Sequence, residues 1–184
     1  MLSSIARGAA AGAAGTTALH AATYLDMTLR GRPSSSTPQQ TIDKISEAAG
    51  TDIPGDAEQR ESRKSGLGAL LGMVTGTTVG VGYGALHALG WRPPVLVGGV
   101  VATVAAMAGS SAPMTALGVT DPRKWSTSDW LSDALPHLAY GLVTAATFSM
   151  MEENHRARRL RRRLRRMAKL RKAGKPAAAR ALAS

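Results

Sequence analysis

Cysteine is absent from all 184 residues. This excludes a disulfide framework, a thiolate zinc site and a cysteine nucleophile, and it leaves the redox compartment open. Aromatic residues are scarce: one Phe, three Trp and three Tyr make up 4% of the chain, few of the large rings that usually anchor a water-soluble core. Charge is missing from two long stretches. Ser65 to Trp91 is 27 residues without Asp, Glu, Lys or Arg, and Pro93 to Thr120 is another 28. A Rossmann or barrel enzyme is not expected from such a chain. The Gly-x-Ser-x-Gly, Walker and His-Glu-x-x-His motifs are also missing, and Gly80-Val81-Gly82 belongs to a glycine repeat rather than to a dinucleotide fingerprint. No enzymatic activity, cofactor or metal is expected.

What is present is sharply divided. Residues 154–184 hold 13 Lys and Arg and no acid, whereas residues 1–153 hold 10 basic and 12 acidic residues, so the net charge of +11 belongs to the tail. The mean hydropathy of −0.06 averages apolar segments with that basic end. Arg outnumbers Lys by 17 to 6, and Ala and Gly are abundant.

A bilayer core of about 30 Å takes roughly 20 apolar residues in a helix rising about 1.5 Å per residue. Four segments fit. The first, within residues 1–29, runs from about Gly8 to Leu29 and is interrupted by His20 and Asp26; the second runs from about Gly66 to Leu89; the third from about Pro94 to Val119; the fourth from about Leu131 to Met151. The last three fall in residues 65–153. Pro94 suits a helix start, and Pro113 and Pro136 are expected to kink the third and fourth helices. The competing reading of the N-terminus is a cleaved targeting segment, since Met1 to Gly15 has one Arg and no acid. That would leave three spans.

Residues 30–64 form a polar insertion with six basic and six acidic residues. Thr37-Pro38-Gln39-Gln40 has the features of a helix start, Ile42, Ile45 and Ala49 follow at helical spacing, and Gly50 is a stop. The pattern predicts a short amphipathic helix on the membrane surface, with a solvated linker as the alternative. With four spans both termini share a side carrying 15 Lys and Arg against 8 opposite, and without the tail the ratio becomes 2 against 8. The positive-inside rule therefore places both termini in the cytoplasm on the strength of the tail, giving a multi-pass plasma-membrane protein.

Gly68, Gly72, Gly76, Gly80 and Gly84 recur every fourth residue. Such a face lets a neighbouring backbone approach closely, which is how small-xxx-small stripes pack helices in lipid. Matching stripes are Gly98, Ala102, Ala106 and Ser110 in the third span, Gly141, Ala145 and Ser149 in the fourth, and Gly8, Gly12 and Thr16 in the first. Packing within the monomer and packing between copies or against another membrane protein both fit. A faint echo, Gly15-Thr16-Thr17 with Gly76-Thr77-Thr78 and Tyr83-Gly84 with Tyr140-Gly141, is compatible with two helix-hairpin repeats.

Ionisable residues within the spans are functional candidates by default. By helical rise, His20 and His137 sit about 18 and 21 Å from the inner end, Asp26 and Asp133 near about 27 Å, and His87 only about 3 Å from it. A three-histidine metal site is thereby disfavoured. The candidate polar cluster is His20, His137, Thr16, Thr17 and Tyr140, rimmed by Asp26 and Asp133, able to relay protons or bind a small solute. The plainer reading makes each residue a helix-to-helix hydrogen bond.

In the tail, Arg158, Arg159, Arg161, Arg162, Arg163, Arg165 and Arg166 surround an apolar stripe of Leu160, Leu164, Met167 and Leu170. A cationic helix with one apolar stripe suits the anionic headgroups of an inner leaflet. Nucleic acid is the less favoured partner, because the tail lacks base-stacking aromatics. From Gly174 onward the Ala-rich end is expected to fray.

Through its Ala/Gly spans, the Gly68 to Gly84 ladder and the Arg158 to Arg166 run, the whole chain resembles small uncharacterised multi-span membrane proteins of high-GC actinobacteria. The likeness is one of style and implies no activity and no site residues. The expectation is an all-α integral membrane bundle of about four transmembrane helices with a C-terminal basic amphipathic helix. Its role is structural or scaffolding, with a small transporter or proton-linked permease as the alternative and a membrane-tethered nucleic acid binder as the weaker one.

Overall fold

The computed structural model describes the backbone of residues 1–181, with the side chains of residues 1–155 and of Ala157, Arg158, Leu160, Arg161, Arg163, Leu164, Arg165 and Met167. Its elements are helical throughout: α1 (Leu2–Arg30), α2 (Thr37–Ala49), α3 (Ala57–Ala88), α4 (Val95–Ala116), a 3-10 turn (Pro122–Lys124) and α5 (Thr127–Ala181). Packing divides the chain into one unit over Met1–Phe148 and a second over Ser149–Ser184.

Local chemistry sets the helix ends. The cap of α2 is Ser36, one residue before Thr37, and Gln40 Nε2 donates to Ser36 Oγ at 2.8 Å. The helix stops at Gly50, which has φ 61° and donates its N–H to the Glu47 carbonyl at 3.1 Å. That left-handed backbone disfavours any Cβ. Gly50→Ala meets no steric neighbour, so it should cost only the backbone preference of about 1 kcal/mol, read as faster amide exchange at Gly50 and Thr51. Asp56 accepts from the Gln59 N–H at 2.9 Å and starts α3. Charged residues crowd the first two turns of α3, and no Asp, Glu, Lys or Arg follows them to its end. Ser126 N–H and Oγ both donate to Asp129 at the start of α5, and these bonds hold the Asp129 carboxyl below its usual range. A lowered folded-state value means the clasp is present above the ordinary carboxylate pKa and is lost as pH falls through the lowered one. The first turn of α5 should therefore loosen only in strong acid, a transition that Asp129→Asn removes.

Neighbouring helices run antiparallel. Gly8 lies against Gly84 and Gly12 against Gly80 and Gly76, pairing α1 with α3. Gly98 meets Tyr83, and Gly109 meets Thr75 and Val79, pairing α3 with α4. Gly99 meets Leu142 and Ser110 meets His137, pairing α4 with α5, while Gly15 meets Tyr140 and closes the ring between α5 and α1. The result is an up-down-up-down bundle of α1, α3, α4 and the first part of α5, with α3 and α5 on one diagonal. Outside this ring α2 lies on the start of α3: Pro38 packs on Gly68, Ile42 is buried, and Lys64 bonds Asp43 at 3.2 Å and Glu61 at 3.1 Å. Those carboxylates hold the Lys64 ammonium above its usual range.

The bundle is inverted relative to a water-soluble one. Its interior is small and weakly polar, with Ala102 at 1% exposure beside Ala11, Ala106, Ala145, Thr103 and Thr144. Among the described residues its large buried side chains are few: Tyr83, His137, Tyr140 and Phe148. The branched aliphatics point outward, Leu96 at 72% and Val104 at 60% exposure.

Among the described residues two helices, α3 and α4, are long and apolar enough to cross a membrane. Four such helices were expected. α1 misses because its charge-free stretch from Gly8 to Leu25 is mostly Ala, Gly and Thr, with His20 and Tyr24, and holds only two Leu. The fourth segment misses because Pro136, His137, Tyr140, Gly141, Thr144, Thr147 and Ser149 dilute its apolar residues. That segment and the basic tail are one helix in sequence, and α5 extends past Gly174 to Ala181 where fraying was expected. Pro113 lies within α4 without ending it.

Candidate functional site

The deepest contact is backbone on backbone. A Cβ on Gly12 would lie 2.9 Å from the Gly80 Cα and 2.7 Å from the Gly76 carbonyl oxygen. One on Gly80 would lie 2.6 Å from the Gly12 Cα, and one on Gly8 2.9 Å from the Gly84 Cα. Real Cβ atoms do not tolerate such distances, and a main chain cannot swing aside. The five-glycine ladder is therefore not one continuous seam. Gly76, Gly80 and Gly84 receive α1, Gly68 receives Pro38 of α2, and Gly72 faces open space.

At the end of that seam Gly76 collects two of the candidate residues. Tyr140 crosses the bundle diagonal and donates its hydroxyl to the Gly76 carbonyl at 2.6 Å, fully buried, while Thr16 sits against Gly76 and donates to the Gly12 carbonyl at 2.9 Å. Thr103 makes the equivalent bond in α4, to Gly99 at 2.9 Å, beside Gly141. The two Tyr-Gly pairs are used alike. Gly84 packs on α1 while Tyr83 reaches α4, and Gly141 packs on α4 while Tyr140 reaches α1. Tyr140→Phe removes one interhelical bond of a class averaging about 0.6 kcal/mol in membranes. The expected outcome is a lower unfolding midpoint in detergent titration with the fold retained.

His137 and His20 have different surroundings. His137 is 9% exposed. Its Nδ1 lies 2.8 Å from the Asp133 carbonyl oxygen and 3.4 Å from Asp133 Oδ1, and its Nε2 lies 3.4 Å from Ser110 Oγ of α4. A carbonyl only accepts, so Nδ1 carries a proton. Asp133 Oδ2 is buried without a hydrogen-bond partner. His20 is half-buried, with Tyr24 as its ring neighbour at 6.1 Å. Thr17 is exposed and donates to the Ala13 carbonyl at 3.1 Å. Asp26 accepts from Arg30 at 2.6 and 2.7 Å and from Arg32 at 2.5 Å, and Arg30 continues to Ser128 at 3.1 Å and to Ser132, clamping the end of α1 to the start of α5. Among the described residues no three His, Asp or Glu side chains converge as a metal site would require.

Compared with protein-family models, curated proteins and solved structures, the chain matches none.

The opposite end of the bundle holds a cluster that sequence reasoning passed over. The His87 ring lies 4.4 Å from Phe148, 4.8 Å from Tyr83 and 5.9 Å from Trp91, and the Arg7 guanidinium stands 5.9 Å over Phe148. The available signal was the spacing Tyr83, His87, Trp91, every fourth residue; Phe148 and Arg7 come from other helices. Nearer the loops, Trp125 and Trp130 stack edge to face at 5.0 Å, with Trp125 Nε1 donating to Thr120 at 2.8 Å.

In the second unit Leu160, Leu164 and Met167 are exposed, as are Arg158, Arg161, Arg163 and Arg165. The side chains of Arg159, Arg162, Arg166 and Leu170 lie outside the described residues.

Proposed function

We propose that the chain is a four-span integral membrane bundle of structural or scaffolding character, with both termini in the cytoplasm and its basic tail on anionic inner-leaflet headgroups. The observation that carries this reading is the inverted distribution of side chains, a glycine, alanine and threonine interior inside a shell of Leu and Val. In water that shell would be a large aggregation surface, whereas in lipid it is solvated and the small residues provide the packing. Contact supports the reading of α1 and the first part of α5 as further spans. α1 is held to α3 backbone to backbone from Gly8 to Gly12, and α5 to α4 from His137 to Leu142, so helices joined along those lengths share one depth. Trp125 and Trp130 at the loop end and Trp91 at the other suit interfacial aromatic belts.

A scaffold needs the seams and not the imidazoles. His20→Ala combined with His137→Ala should leave assembly and membrane retention unchanged after alkaline carbonate washing. Loss of a solute flux in that variant, with the fold intact, would favour the permease instead.

A further inference from the structure

We propose that the groove between α2, the loop after it and the first turns of α3 binds a short peptide with free ends, its ammonium on Asp52 and its carboxylate on Arg60. The groove belongs to the polar insertion outside the bundle, so the proposal goes beyond the scaffold reading and stands without it. Its volume is about 550 Å³, within the range of about 300–1,000 Å³ common for small-ligand clefts. Five of the residues lining it are charged: Asp43, Glu47, Asp52, Arg60 and Lys64. The loop wall is fixed at both ends. Ser46 Oγ donates to the Thr51 carbonyl and the Thr51 N–H donates to the Ser46 carbonyl at 3.1 Å, while Arg60 Nε donates to the Gly55 carbonyl at 2.6 Å and Arg63 to the Pro54 carbonyl.

Three of the five charges are already neutralised. Lys64 stands 3.2 Å from Asp43 and 3.1 Å from Glu61, and Glu47 pairs with Lys44 at 2.7 Å. Asp52 and Arg60 remain. Among the described residues the Asp52 carboxylate accepts no hydrogen bond, and Arg60 uses only its Nε, which leaves the four N–H groups of its Nη atoms without an acceptor. The two side chains have opposite charges and line one groove, yet no ion pair joins them. A guanidinium takes a carboxylate through two parallel bonds, and a carboxylate takes an ammonium. A ligand of one sign would leave either Asp52 or Arg60 unmatched, and an apolar ligand would leave both. Because Asp52 and Arg60 do not touch, the ligand's own charges must stand apart, which suits the ends of an extended tripeptide, about 10 Å long, better than the adjacent charges of a single amino acid.

The test titrates the full 15N-labelled chain, at low salt, with trialanine, N-acetyl-trialanine and trialanine amide, following the Asp52 amide and the Arg60 Nε–H by NMR. Trialanine should shift both signals saturably at concentrations up to about 10 mM, the range of a weak small ligand. Blocking either end should weaken binding about fivefold, the upper end for an exposed ion pair. The variants assign each end to its residue. In Asp52→Asn, acetylation should cost nothing further while amidation still costs about fivefold, and in Arg60→Gln the pattern should reverse. Asp52 makes no bond within the chain, so Asp52→Asn leaves the loop intact and carries the test even where Arg60→Gln loosens Gly55. Absence of saturable shifts with trialanine, or an acetylation penalty that persists undiminished in Asp52→Asn, would overturn the proposal. Equal shifts from a peptide blocked at both ends would do the same.

Discussion

Gly80→Leu should separate α1 from α3, whereas Gly72→Leu, eight residues away on the same ladder, should leave the bundle intact. Both substitutions add the same side chain to the same helix. At Gly80 the added Cβ would come within 2.6 Å of the Gly12 Cα, and at Gly72 nothing lies within 4 Å. Overpacking against side chains costs about 1–3 kcal/mol. Here the obstacle is main chain on both sides, so the upper end, about 3 kcal/mol, is the reasonable scale. That corresponds to about 10² in the folded-to-unfolded ratio. Detergent unfolding of the two variants beside the parent chain reads the difference, and equal stability of the two would remove the seam from the account. Gly12→Leu should match Gly80→Leu, because the contact is reciprocal.

Replacing Arg158, Arg161, Arg163 and Arg165 with Gln should release the tail from anionic membranes. Each basic residue near such a surface contributes about 1 kcal/mol, so four together amount to about 4 kcal/mol, or about 10³ in partition coefficient. Parent and substituted chains reconstituted into vesicles with and without anionic lipid, with contact of the tail to the bilayer followed across ionic strength, measure this. In neutral vesicles that contact should be weak and unaffected by salt. If the tail were instead a nucleic acid binder, deletion of residues 156–184 would abolish DNA retention while leaving binding to anionic vesicles unchanged.

The small-residue stripes were legible in the sequence because a four-residue spacing needs only the helix period. Their partners were not, because spacing along one helix does not say which of three neighbours it meets. Thus Gly72 reads identically to Gly76 and differs only in what lies opposite. The hydrogen bond from Tyr140 to Gly76 joins residues 64 apart, a relation no local pattern carries. The His20 and His137 level was inferred from rise per residue alone. Depth ignores rotation about the helix axis, and the structure directs His137 to Ser110 and places His20 beside Tyr24. In α2, Ile42 is buried against the start of α3 while Ile45 stays 42% exposed, so only part of the apolar face expected on the membrane surface is available to it. The first and fourth helices illustrate a further limit. Residues that pack against other helices need not be greasy, and apolarity underrates a span whose main contacts are protein.

Cysteine accessibility in intact cells tests the central claim most directly, and the native chain contributes no cysteine to the background. Single cysteines at Ser35, Ser126, Val104 and Ala183 would be challenged with a membrane-impermeant maleimide before and after lysis. The account predicts labelling of Ser35→Cys and Ser126→Cys in intact cells, labelling of Ala183→Cys only after lysis, and none of Val104→Cys in either. Val104 is 60% exposed on the bundle surface, so its own bundle does not shield it from water. Ready labelling of Val104→Cys from water would contradict the account.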